Sequence, residues 1–463
     1  MNSGRMIGCV AGTMLALATA GAEPVGLLYK AVVGHARTQD TPARRERSIG
    51  VDVTGAARLA VGDQVRFDLF PGTTLTGTVR SARDAHGFRE IHGHLSGDPD
   101  GTFLIIAGRG VATMEVRSTT AGSFEVRHTS TGGYVVRELD DAGWKPCGCG
   151  REHEVGGGPA PGGHQGPGGY EERGTPVIRV LVMYTPLARD DEGGDAAIES
   201  RVAFALSQAN AAYIASQADV QLELAYTGVI DYVESGSAST DLGRWRSTTD
   251  GIMDRVHCIR DAVGADMCAL LVNNFNACGI AYIMTNVGPG FQSSAFSVTD
   301  KDCIGGYTFA HELGHNMGCA HDRDNAGNAA YSYAYGYRTP DAVYRTILAY
   351  SPGTRIGRFS NPNISFNGYV LGNPLGQADE TYNALGITNT APVIAAFRTG
   401  GALSPDYNDD GNVDQDDILC LVQAVAGDPS CSGGGDPDYT RDGNVDQDDV
   451  AQLTQLVAGA FCP

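Results

Sequence analysis

The chain runs to 463 residues and carries 54 acidic against 33 basic side chains, a net charge of −21, with 63 glycines and 20 prolines. Such acidity, without a basic stripe, excludes a nucleic-acid partner. Beyond the N-terminus no apolar run reaches the ~18 residues a bilayer span needs, which excludes a membrane span, and the length suits about three domains.

The first element is a mostly apolar run from Met6 to Ala20, preceded by Arg5 and closed by Ala20-Gly21-Ala22. That pattern predicts a secretory signal peptide over residues 1–22, and so an exported, secreted protein. Removing Cys9 with it leaves ten of the eleven cysteines, plausible disulfide partners in an oxidising compartment. Residues 64–70, 102–106 and 123–127 are short apolar segments separated by Gly- and Asp-rich breaks. The first and third alternate with period two and the second is a continuous run, which predicts a β-rich domain over residues 23–154. In an exported protein an N-terminal domain of this kind is most simply a propeptide. Residues 155–174 are dominated by glycine and proline and predict a flexible linker.

A third region, 175–400, alternates strands with helices. Residues 176–183, 220–226 and 267–272 read as strands. A helix presents Ile198, Val202, Ala205, Ala209 and Tyr213 on one face, and 252–263 is a second helix candidate. Residues 278–284 read as an edge strand and 309–317 as a helix, giving a mixed α/β sheet. On that last helix stands His311-Glu312-Leu313-Gly314-His315-Asn316-Met317-Gly318-Cys319-Ala320-His321. Histidines at i and i+4 share one helix face. Two imidazoles there can grip one Zn²⁺ at about 2.0–2.1 Å, and a turn at Gly318 can return His321 as a third ligand. Three protein ligands leave a fourth position open, the mark of a catalytic site. Glu312, beside the first ligand, is placed as general base for peptide-bond hydrolysis.

At these residues the chain resembles the metzincin clan of zinc endopeptidases. Asp322, directly after the third histidine, is similar to the reprolysin (adamalysin-like) branch. Residues 180–186, 278–282 and 359–362 are similar to bacterial secreted proteases related to the peptidyl-Asp metallopeptidases. The resemblance covers roughly residues 175–400 and implies protein or peptide substrates. It departs at the clan's methionine turn, where Leu348 stands for methionine. Leu and Met are close in volume, and such swaps usually cost under about 1.5 kcal/mol. Tyr350, two residues on, has two readings: a donor to the oxyanion, or a side chain packed in the turn. Arg338, Arg345, Arg355 and Arg358 form either a basic pocket for an acidic side chain or a set of surface arginines. Cys147 and Cys149 likewise stay open: one thiolate occupies the zinc's free position, like the cysteine switch of related proteases, or the two form ordinary disulfides or bind nothing. Cys278–Cys303 is the bridge expected, tying the edge strand to the approach of the active-site helix; the remaining pairings stay open.

The tail, residues 404–463, holds thirteen aspartates and one arginine, and it contains a duplication. Asp406, Asn408, Asp410, Asn412, Asp414 and Asp417 recur as Asp438, Thr440, Asp442, Asn444, Asp446 and Asp449. Oxygen donors at loop positions 1, 3, 5, 9 and 12, glycine at 6 and the position 7 carbonyl match an EF-hand loop, so about two Ca²⁺ are expected. An apolar helix follows each loop. A loop-helix pair repeated twice resembles a dockerin type I module and implies a cohesin-type partner.

The fold expected is therefore multidomain: a β-rich N-terminal prodomain, an α/β metzincin catalytic domain with a mixed sheet and an active-site helix, and a small α, EF-hand-like, dockerin-type tail. The function expected is a secreted zinc endopeptidase with one catalytic Zn²⁺ held by His311, His315 and His321. A competing reading is a calcium-dependent scaffold-attachment or adhesion protein whose protease domain is degenerate, favoured only by Leu348.

Overall fold

Period-two alternation builds the N-terminal region. The computed structural model describes residues 24–30, 42–141, 143–149, 154–155, 174–398, 407–408, 414–428, 431, 437–439 and 444–457. The expected signal peptide lies outside these residues, as does nearly all of the expected linker. Strands β1 (Val25–Gly26), β2 (Leu28–Lys30), β3 (Ala43–Val51), β4 (Gln64–Phe70), β5 (Thr73–Ala85), β6 (Phe88–Leu95), β7 (Thr102–Gly108), β8 (Val111–Ser118), β9 (Gly122–His128) and β10 (Tyr134–Leu139) form one sheet. β1 and β2 are halves of one segment hinged at Leu27; β1 pairs with β4 and β2 with β3, so the sheet closes into a barrel. In β4, Val65, Phe67 and Leu69 point inward and are fully buried, joined inside by Ile105, Val116 and Phe124. Each such side chain contributes about 1.5–3 kcal/mol. A short helix, α1 (Val53–Ala56), packs against the barrel.

The continuous run in β7 has a structural reason. Phe103 and Ile105 face the barrel interior, while Leu104 and Ile106 on the outer face join the core of the next domain. They meet α3 (Asp195–Ser216), which follows α2 (Pro186–Glu192) and lies between barrel and sheet, so most of its side chains are buried.

That next domain is built on β12 (Val177–Tyr184), β13 (Gln221–Val229), β14 (Met267–Val272), β15 (Gly279–Ala281) and β17 (Phe296–Asp300), in the order β13-β12-β14-β17-β15. The first four pair in parallel and β15 runs antiparallel to β17 at the edge. The expected edge strand breaks at Tyr282 and resumes as β16 (Ile283–Met284), which pairs in parallel with β11 (Glu154–Val155). β11 thus straddles the boundary drawn between the β-rich region and the linker.

Helices α3, α6 (Thr308–Asn316) and α7 (Asn383–Ile394) line one face of the sheet; α4 (Ala238–Arg246) and α5 (Arg255–Ala262) line the other. α5 begins later than expected because Met253 adopts φ 59°, which no helix tolerates. In the tail, α8 (Gln415–Val425) and α9 (Gln447–Val457) pack on each other, and Leu421 and Leu453 reach the core around Trp245. Among the described residues no helix is long and apolar enough to cross a membrane. The architecture is mixed α/β with a large β-rich N-terminal region.

Candidate active site

α6 is capped by Tyr307 and Met317, and every residue in it is buried. Gly318 then turns the chain at φ 83°; a Cβ there would also lie 2.5 Å from that of Ala330. Only glycine meets both demands. The turn lets residues 320–322 pair with Tyr335–Gly336, which brings His321 back beneath the helix.

The structure brings the three expected histidines together. Their Nε2 atoms lie 3.1 Å (His311–His315), 3.2 Å (His311–His321) and 3.0 Å (His315–His321) apart. His311 Nδ1 is 2.8 Å from the Ile347 carbonyl and His315 Nδ1 is 2.8 Å from that of Cys319. A carbonyl only accepts, so each Nδ1 donates and each Nε2 presents a lone pair to the same point. Burial, and then the neighbouring imidazoles, holds His311 and His321 well below the ordinary histidine pKa, which keeps them neutral. Three converging lone pairs repel unless a cation sits among them. Tetrahedral donors around zinc stand about 3.3 Å apart, so the donor set fits that ion.

Glu312 points to the same place. Its Oε1 is buried and meets no hydrogen-bond partner. A Cβ on Gly279 would sit 2.4 Å from that oxygen, so the edge strand leaves room for the carboxylate. Burial pushes its pKa up to about 8. Leu348 is fully buried and packs on α6 at Gly314. The Tyr350 ring lies 4.2 Å from the His321 ring, and its N–H donates to Asp322 Oδ2 at 2.9 Å.

The four arginines divide. Arg338 donates to Asp322 at 2.7 Å, and Arg345 is buried on the carbonyls of Ala349 and Gly353. Arg358 lies over the Phe366 ring, and Arg355 sits near the histidines.

Sequence reasoning left Cys147 and Cys149 open between two readings, and both are free thiols at this site. Residues 146–149 lie along the edge strand: Cys278 N–H donates to the Pro146 carbonyl (2.9 Å), Gly148 N–H to that of Gly279 (2.7 Å), and Cys147 pairs with Gly279 in parallel. Cys147 Sγ, with the three histidines, forms a group whose donor atoms all lie within 4.8 Å of one another. Cys149 Sγ donates to Glu312 Oε2 at 3.1 Å. Burial raises the pKa of both thiols. The expected Cys278–Cys303 disulfide is present, joining the edge strand to the 3-10 turn before α6. Cys420–Cys431 is a second bridge.

Of the expected calcium donors, Asp406, Asp410, Asn412, Thr440 and Asp442 lie outside the described residues. Asn408, Asp414, Asp417, Asp438, Asn444, Asp446 and Asp449 are described. Asp417 Oδ1 accepts from Asn408 N–H (3.1 Å) and Oδ2 from Asp414 N–H (2.8 Å); in the second copy Asp449 Oδ2 accepts from Asp446 N–H (2.7 Å).

Residues 175–381 match the family described as metallo-peptidase family M12B, reprolysin-like. The chain is 40% identical over 234 residues to a peptidyl-Asp metalloendopeptidase of Stenotrophomonas maltophilia, covering 49% of this chain and 54% of the relative. A namesake from Xanthomonas campestris is 38% identical over 231 residues, covering 49% and 53%. One from Pseudomonas fragi is 30% identical over 196 residues, 41% of this chain and 100% of the relative. The chain thus spans about half the length of the first two relatives and all of the third. Site geometry, matched segment and relatives agree: the chain is a metalloendopeptidase, and residues 175–381 are a reprolysin-like metallopeptidase domain of family M12B.

Proposed function

We propose that the protein is a secreted, zinc-dependent endopeptidase that cleaves peptide bonds next to aspartate, made as a latent precursor. The observation that carries the reading is the convergence of three Nε2 atoms beside a glutamate oxygen unpartnered among the described residues. His311, His315 and His321 would hold the metal, and zinc when bound supplies a Lewis acid that polarises the scissile carbonyl and acidifies water.

The remaining steps belong to the chain. A peptide adds to the edge at β15 through main-chain hydrogen bonds. Glu312 takes a proton from the attacking water as its oxygen bonds to the carbonyl carbon. It returns that proton to the amide nitrogen as the C–N bond breaks, leaving a carboxylic acid and an amine. A carboxyl raised by burial to about 8 suits both halves of that transfer. Support for the aspartate preference is the shared description of the relatives.

Residues 1–22 would be the signal peptide, 23–154 the propeptide, 155–174 the linker and 175–400 the catalytic domain. Cys147, across the edge strand, would be the latch. Residues 404–463 would be the calcium module, resembling dockerin, with a cohesin-type module as its partner.

The test is Glu312→Gln in the zinc-loaded protein. General-base loss is expected to lower kcat by about 10²–10⁴-fold with zinc content unchanged. Cleavage at the wild-type rate would remove Glu312 from its role; a wild type that cleaves nothing would favour the attachment reading.

A further inference from the structure

A half-buried cation, with no ion pair among the described residues, stands beside the candidate site. Arg355 Nη1 donates to the Gly306 carbonyl at 2.9 Å, while its Nε is buried and meets no partner. Burial outweighs the anions around it and holds its pKa below the ordinary arginine value. An uncompensated guanidinium in such a place is costly unless an anion joins it.

The first of the anions acting on it is Asp141, ahead of Glu312. Asp141 Oδ1 is itself buried without a partner, and both side chains line one cavity of about 310 Å³ between barrel and protease. The Asp141 carbonyl accepts from Arg345 at 3.4 Å, which anchors the segment there.

Direction gives this contact its meaning. The covering segment runs parallel to the edge strand, as both the Cys147–Gly279 bridge and the β11–β16 pair demonstrate. Antiparallel addition is the slightly more stable pairing. A peptide bound that way reverses the covering segment, so residues after its scissile bond lie where residues before Cys147 now lie.

We propose that Arg355 is the specificity-determining cation for an acidic side chain following the scissile bond, and that Asp141 stands in for that side chain in the latent chain. This deepens the peptidase reading above and rests on it. Arg355 offers a planar fork of donors matched to a carboxylate.

The experiment uses the zinc-loaded full chain after limited proteolysis between residues 156 and 173, assayed once the N-terminal fragment has departed, with peptides differing only by Asp, Asn or Ala after the cut bond. Arg355→Gln is expected to lower the Asp-over-Asn ratio of kcat/KM by about 10–100-fold, with Arg355→Lys recovering part of it. An unchanged ratio in Arg355→Gln at normal zinc content overturns the proposal. A wild type that cleaves all three peptides alike also overturns it and leaves hydrolysis standing; one that cleaves none overturns the peptidase reading with it. A second measurement needs no Arg355 variant: Asp141→Asn in the uncut chain should speed the onset of activity on proteolysis. No change with Asp141→Asn overturns the stand-in role.

Discussion

Sγ of Cys147 lies 3.9 Å from Nε2 of His315 and 3.7 Å from Oε2 of Glu312, so one thiol faces both a candidate ligand and the candidate base. Cys149 touches the carboxylate but does not join the group of three histidines. Cys147→Ser is therefore expected to raise peptide cleavage by the uncut chain by about tenfold or more, and Cys149→Ser to raise it less. Sulfur in the zinc coordination shell by X-ray absorption should disappear with Cys147 alone.

Acid should loosen the contact between barrel and protease. Arg127 on β9 lies 2.5 Å from Glu192 and 2.6 Å from Asp302, all buried. Burial alone would raise both carboxyls; Arg127 and Lys301 outweigh it and hold both below their ordinary values. The unfolded chain then binds more protons than the folded one, so stability rises with pH. The contribution is complete above about pH 4, the ordinary carboxylate range, and is lost as pH falls through the lowered values. Melting curves from pH 2.5 to 7 should bend at the acid end. Arg127→Met should cost about 3–5 kcal/mol and flatten that bend.

The departure at Leu348 should be silent. It is fully buried against α6, where Ile347 also holds His311 through its carbonyl. Leu348→Met is expected to change stability by less than about 1.5 kcal/mol and activity by little. Leu348→Ala should cost about 2–5 kcal/mol and loosen the histidines above it, read by melting temperature and zinc affinity.

Calcium removal should act on the tail first. Asp417 and Asp449 are buried, and burial raises the Asp417 pKa. Chelation by EGTA is expected to lower the melting temperature of α8 and α9, followed by hydrogen exchange, while α6 keeps its protection. Equal exchange with and without calcium would argue against the loops binding it.

Legibility followed sequence distance. His311, Glu312 and His315 sit within one helical turn, and His321 needs only the Gly318 turn, so local rules suffice. The β4 strand was legible because one face is barrel interior and the other is wet. β9 misleads by the same rule: Glu125 and Arg127 alternate like solvent-facing residues, yet Glu125 is buried 2.5 Å from Arg201. The outcome at Cys147 lay beyond sequence reasoning, because its partners are 165 and 168 residues away. Closure of the barrel hung on six residues around Leu27, too few to carry a period.

The barrel grips the protease twice, through the outer face of β7 and β9 on α3 and through residues 146–148 and 154–155 on the sheet edge. A cut within 156–173 severs neither grip. The blocking strand, still tethered to a docked body, is held at high local concentration and re-seats faster than a free peptide could. Nicking and unmasking are thereby separated in time. The delay between them is set by the departure of one folded unit, a first-order event that digestion of the barrel shortens and dilution of the protein does not.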